Sequence, residues 1–138
     1  MGVAAAQFPP PGGLILDHVA HFVPRLDEAA RALEALGFAV TPESAHQTQE
    51  GPAGTSNICV MLEHGYLEIL APTADTPNAR RVRASMQSYP GVHLACFGTP
   101  DAEGEQARLQ THGFEPQPLV HLNRKVPSGE MARFSVAI

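Results

Sequence analysis

Every second residue from Leu14 to Phe22 falls on one side of an extended chain: Leu14, Leu16, His18, Ala20 and Phe22. That period predicts a strand from Leu14 to Val23. The spacing then changes. Leu26, Ala29, Ala30, Leu33 and Leu36 recur at helical intervals, with Asp27 as an expected N-cap and Gly37 as the stop. Phe38 to Thr41 reads as a second strand and residues 42–57 as a polar loop rich in Gly, Pro, Ser, Thr and Gln. Ile58 to Leu62 and Tyr66 to Ala71 read as a hairpin closed by Glu63-His64-Gly65. Residues 14–71 thus form a βαβββ module. Residues 72–90 are a connector, in which Thr76-Pro77 has the form of an N-cap followed by Pro at the first helical position and opens a helix to about Ser88. Residues 91–138 start again with a strand from Val92 to Phe97 and a helix from Asp101 to about His112, weakened by Gly104. A short or edge strand broken by Pro116 and Pro118 follows, then a strand from Met131 to Ile138. Residues 1–13, with Pro9-Pro10-Pro11-Gly12-Gly13, are expected to be disordered or extended, outside the core.

The second half repeats the first. His18-x-Ala20-x-Phe22 recurs as His93-x-Ala95-x-Phe97, Glu28 and Ala32 as Glu103 and Ala107, and Gly37-Phe38 as Gly113-Phe114. The expected fold is α+β, one domain of two tandem βαβββ modules, and repeats of this kind have to be found before the fold is read. The mate of Tyr66–Ala71 is missing from the second module, which suggests a truncated piece or a module completed by a partner chain. Two facing modules would bring His18 and His93 together.

A length of 138 residues suits one domain. The formal charge of -5 argues against non-specific binding to nucleic acid or an anionic membrane. Cys59 and Cys96 lie in apolar strand-like runs with no C-x-x-C motif, which reads as reduced, packed thiols. The N-terminus lacks the basic and apolar regions of a signal peptide, and no run is long enough to span a bilayer. A cytoplasmic protein acting on a small molecule is the expectation.

Three residues sit where chemistry could be done: His18 on the first strand, Glu68 inside the apolar run Tyr66-Leu67-Glu68-Ile69-Leu70, and His93 on the repeat of the first strand. Imidazole and carboxylate together suit Fe(II), Ni(II), Zn(II) or Mn(II). Alternation alone offers the other reading, with Glu68 on a solvated sheet face and each His simply hydrogen-bonded. His46 and Asn57 border the long loop and Tyr66 shares a face with Glu68, so these are candidate substrate contacts. His21 lies on the opposite face from His18, and His64 is a turn residue. Arg80, Arg81 and Arg83 form either a solvated face or an anion clamp.

Leu16-Asp17-His18-Val19-Ala20-His21-Phe22-Val23-Pro24, the helix ending Leu36-Gly37-Phe38, and Gly65-Tyr66-Leu67-Glu68-Ile69-Leu70 together resemble the vicinal oxygen chelate superfamily. That superfamily includes glyoxalase I, extradiol dioxygenases and bleomycin- or fosfomycin-resistance proteins, and the chain is most similar to its glyoxalase-like domain group. The resemblance implies a curved mixed sheet around a central cleft. It implies a divalent metal on His18, Glu68 and His93, with a fourth ligand on the strand missing from module two. Isomerase or lyase chemistry is the first activity it implies and dioxygenase the second, with Glu68 a candidate general base. It also implies frequent homodimers, and it allows sequestration of a small molecule without turnover.

Overall fold

The computed structural model describes residues 11–126 and 128–137, with the backbone alone at Arg124. The expectation for residues 1–13 falls mostly on residues 1–10, outside the described ones. The elements run β1 (Ile15–Phe22), α1 (Leu26–Ala35), β2 (Ser44–Thr48), β3 (Gly51–Met61), β4 (Tyr66–Pro72), α2 (Pro77–Ser88), β5 (Gly91–Gly98), α3 (Ala102–Thr111), β6 (Val120–Lys125) and β7 (Met131–Val136). The seven strands make one mixed sheet in the order β5-β1-β4-β3-β2-β6-β7, curled into a half-barrel. Only the β1–β4 pair is parallel among the described ladders. The two modules are therefore not two separate sheets. Module one forms the centre, β5 extends its β1 edge, and β6–β7 extends its β2 edge. β4 lies between β1 and β3, whereas β5 and β7 end the sheet at opposite edges.

Pairing fixes which side chains share a face, because residues directly opposite in an antiparallel ladder point the same way. Leu67, Ile69 and Ala71 of β4 and Ile58 of β3 face α1, where Leu26, Ala29, Ala30 and Leu33 cover them. On the concave face Ala20, Phe22 and Leu70 pack against Val82 and Met86 of α2 and Leu94 of β5. α2 thus covers Ala20, Phe22 and Leu70, and the same strands carry His18, Tyr66 and Glu68 further along this face.

Several sequence expectations are corrected. Phe38 to Thr41 is not a strand. It runs beside β3, held where the Thr41 amide meets the Cys59 carbonyl at 2.9 Å and the Cys59 amide donates to Thr41 Oγ1 at 2.9 Å. The second strand is Ser44–Thr48, and β3 begins at Gly51, so most of the expected loop is a hairpin. Its polar composition misled because His46, Thr55, Ser56 and Asn57 are buried, with His46 bonded to Thr55 and Asn57 to Glu68. Asp27 is not the N-cap. Arg25 holds that position without a side-chain cap, and Asp27 sits in the first turn, bonded to Arg25 and Arg31. The arginines of α2 are an exposed face: Arg80 pairs with Asp75 at 2.8 Å and Arg83 donates to the Ala74 carbonyl.

Thr76 is a true cap and also a tie between α2 and β3. Its Oγ1 accepts from the Ala79 amide at 3.1 Å and donates to the Ala53 carbonyl at 2.8 Å. Gly54, at φ +76, passes so close beneath that a Cβ there would strike Thr76. Thr76→Ala should lower stability by about 1–2 kcal/mol, read as a shift in urea midpoint at unchanged m-value. Gly54→Ala should cost more, since it adds both a collision and an unfavourable φ.

Candidate active site

Strand registry builds a polar cluster on the concave face. β1 runs parallel to β4 with His18 beside Tyr66 and Ala20 beside Glu68, while β3 sets Cys59 opposite Glu68 and Asn57 opposite Leu70. In the β2–β3 ladder Ser44 pairs with Asn57, so alternation along β2 sets His46 on the same face. Glu68 is 7% exposed and Asn57 2%.

Glu68 gathers the others. Asn57 Nδ2 donates to Glu68 Oε1 at 2.6 Å. His46 Nε2 stands 3.7 Å from the same oxygen, and His18 Nε2 stands 3.5 Å from Oε2. Behind the imidazoles, His18 Nδ1 donates to Asp17 Oδ2 at 2.7 Å and His46 Nδ1 is hydrogen-bonded to Thr55 Oγ1 at 3.0 Å. Tyr66 stacks on the His18 ring with centroids 4.2 Å apart. Burial by itself would lower the His18 pKa, but contacts with Cys96, Glu68 and Asp17 outweigh it and raise it to about 10. Burial by itself would raise Glu68; the hydrogen bonds from His18 and Asn57 and the charges of both imidazoles win, and it is held below the usual carboxylate value. Burial and the neighbouring carboxylates push the Tyr66 phenol up. At neutral pH the centre is a carboxylate against an imidazolium.

Of the residues expected from sequence, His18, Glu68, His46, Asn57 and Tyr66 come together. His93 does not join them. β5 runs antiparallel to β1, so His18 faces Cys96, and the repeat-equivalent His93 lies three positions further along the ladder, about 10 Å away at the rise of a strand. A register shift also falls where Ala20 faces Leu94 and His21 faces Val92, so His93 breaks the inward alternation. Its ring stacks on Phe22 and Tyr89, and its Nε2 donates to the Tyr89 carbonyl at 3.0 Å. Among the described residues no three His, Cys, Asp or Glu side chains are placed to share one cation. The donor set as it stands does not fit the metal site that His18, Glu68 and His93 were expected to make. Asp17, Thr55 and Cys96 were missed; the repeat that pointed to His93 carries Cys96 three residues on.

Two open depressions lie elsewhere. One of about 380 Å³ sits by β6–β7 at Gln49, His121 and Arg133, the other, about 370 Å³, beside α1 at Asp27, Glu34 and Glu43. Their ionisable groups are solvated, and groups poised for chemistry are those taken from water and set against a partner. The Glu68 cluster meets that condition.

Removing the carboxylate leaves His18 charged against one partner fewer. Glu68→Ala should lower stability at pH 7 by roughly 3–5 kcal/mol, the usual cost of breaking a buried pair. His18 has a folded pKa above its unfolded one, so its contribution is complete below the ordinary value of 6.5 and fades as pH rises through about 10. The gap between wild type and variant in urea titrations should therefore narrow as pH rises over that window.

The glyoxalase-like domain family model matches residues 16–138. No curated protein matches the chain. Among solved structures, a hypothetical protein from Staphylococcus aureus superposes with a TM-score of 0.69 at 17% identity over 90% of this chain, which spans 52% of that protein. A methylmalonyl-CoA epimerase from Streptomyces coelicolor, in complex with 2-nitronate-propionyl-CoA, gives 0.60 at 19% identity over 87% of this chain and 92% of that one. A hypothetical protein from Bacillus halodurans gives 0.58 at 16% identity over 88% and 93%. At such identities the structures show the shared fold, and the family match shows the rest: this chain belongs to the glyoxalase-like domain family of the vicinal oxygen chelate superfamily.

Proposed function

We propose that the protein is an enzyme that moves a proton on a carbon next to a carbonyl of a small oxygenated metabolite, giving isomerase, epimerase or lyase chemistry. The observation that carries this is the buried Glu68 carboxylate set against the His18 imidazolium. Glu68 would take the proton from carbon. His18 Nε2–H would hold the oxygen of the resulting enolate, its ring fixed by Asp17 behind and Tyr66 alongside. Return of a proton to the opposite face of the same carbon gives an epimer, and return to its neighbour gives an isomer. The bound carboxylate is a weak base while His18 and Asn57 stabilise it; a substrate oxygen that draws the His18 donor away strengthens it as the reaction begins. A neighbour of this fold is a methylmalonyl-CoA epimerase, which supports the reaction class.

The superfamily commonly binds divalent metals, and Fe, Ni, Zn or Mn was the expectation here. Among the described residues three protein ligands are not assembled, and the steps above run on Glu68 and His18. Solvent deuterium exchange, followed by proton NMR over a panel of 2-hydroxy and 2-oxo carbonyl compounds and acyl thioesters, tests the reading. Glu68→Gln should slow exchange by about 10²–10⁴-fold, the range of a general base, and wild-type exchange should survive EDTA. Exchange equal in both proteins removes Glu68 as the base. Exchange that EDTA abolishes and Mn(II) or Zn(II) restores returns the metal. Binding of a panel compound with no exchange would favour sequestration.

The homodimer is proposed on the second module. α3 has no buried residue, and Phe97 of β5 is 61% exposed and Phe134 of β7 39%. β5 and β7 are open edges, which invite pairing with another chain. Light scattering should give twice the monomer mass, falling with Phe97→Lys; a monomer at every concentration ends the idea. No helix among the described residues is long and apolar enough to cross a membrane. Cys59 and Cys96 are in no disulfide among the described residues, which supports a reducing compartment, the cytoplasm.

A further inference from the structure

The β6–β7 hairpin carries a polar face that the Glu68 cluster does not use. His121 stands opposite Ser135 and Asn123 opposite Arg133, so all four side chains share one face. Asn123 also pairs with Gln47 of β2. Gln47 follows His46, which is on the Glu68 face, so the four lie on the other side of the sheet. They line a depression of about 380 Å³ together with Gln49, and Leu122 and Phe134 are its apolar part.

Every polar side chain in this lining can donate a hydrogen bond, and none is a carboxylate. Arg133 is the cation among them. Elsewhere Arg25, Arg31, Arg80 and Arg108 are paired with carboxylates, Arg81 donates to Asn78 and Arg83 to the Ala74 carbonyl. The Arg133 guanidinium has neither an ion pair nor a hydrogen bond among the described residues. His121 Nδ1 and Ser135 Oγ are 2.8 Å apart. Whichever of them donates, the pair keeps a donor to spare: the ring Nε2–H in one case, the hydroxyl in the other.

The four positions span about 5 Å across the ladder and about 7 Å along it, the size of one carboxylate with its partners. A guanidinium meets a carboxylate through two parallel N–H···O bonds. One full charge in the lining balances a monoanion; Lys125, next along the same face, lies outside the depression. Leu122 and Phe134 suit an apolar body attached to the carboxylate. We infer that the β6–β7 hairpin binds a small organic monocarboxylate, with the Arg133 fork on the carboxylate and hydrogen bonds from Asn123, Ser135 and Gln49. This is a second site, independent of the reaction proposed for Glu68.

Sodium benzoate and benzamide are the probes, nearly equal in shape and different in charge, titrated into the whole protein by ¹H–¹⁵N NMR. Wild type should bind benzoate about tenfold more tightly than benzamide, the value of a charge-assisted pair. The largest shifts should fall on Asn123, Arg133 and Ser135. Arg133 is exposed, so Arg133→Gln should keep the fold and cut the preference to about twofold or less. Equal affinity for the two probes in wild type overturns the inference, whatever the variant does. So does a preference that survives in Arg133→Gln, or shifts centred on His18 and Glu68. Inorganic phosphate that binds the same residues as tightly as benzoate also overturns it, because the site then reads negative charge alone.

Discussion

An ionised carboxylate in the middle of a sheet cannot be left without partners, and most of this molecule's polar architecture follows from Glu68. Taking a carboxylate out of water costs several kcal/mol unless hydrogen bonds and opposite charge replace the solvent. Asn57 supplies the hydrogen bond, His18 and His46 supply charge, and Asp17 and Thr55 hold the two rings. Each comes from a different strand or strand position, so the cluster exists only when β1, β2, β3 and β4 are in register. The parallel β1–β4 pair is central: it sets His18 one pleat from Glu68 on the same face.

The concave face is divided along its length. At one end Ala20, Phe22, Leu70 and Leu94 meet Val82 and Met86 of α2, and the helix seals them from water. At the other the same strands continue with His18, Tyr66, Glu68 and Asn57. The apolar end lowers the local dielectric around the polar one, which strengthens the paired interactions and raises the penalty for any unpaired group. His93 belongs to the seal rather than to the polar end, packed between Phe22 and Tyr89. Module two contributes little to either. Neither core cluster draws on α3, β6 or β7, and its apolar side chains at Phe97, Phe114 and Phe134 lie open.

Much of the fold was legible because periodicity reports burial directly. The alternation in β1, the helical spacing of α1, the Thr76-Pro77 start of α2 and the Tyr66 strand all appear in the structure within a residue or two. Residues 42–57 misled for a physical reason. Their Ser, Thr, Asn and His side chains read as solvated, yet His46, Thr55, Ser56 and Asn57 are buried, with His46 bonded to Thr55 and Asn57 to Glu68 across strands. Composition cannot separate a polar group bonded to water from one bonded to a neighbour.

His18 and Glu68 were visible by residue type and alternation, and the family resemblance rested on the same stretches. Local sequence determined that two ionisable groups would stand on strands of a repeated α+β unit, because strand parity depends only on near neighbours along the chain. Which groups meet was decided by tertiary structure. Repeat symmetry equates His18 with His93, but an antiparallel ladder places equivalent positions three residues apart, and His93 packs on Phe22 and Tyr89 instead. The pairing of β2 with β3 brought His46 in, and the reach of Asn57 to Glu68 left its Oδ1 without a partner among the described residues. Register, irregularities in pairing and the satisfaction of buried polar atoms are relations between distant segments, and they take definite values only when the sheet has closed.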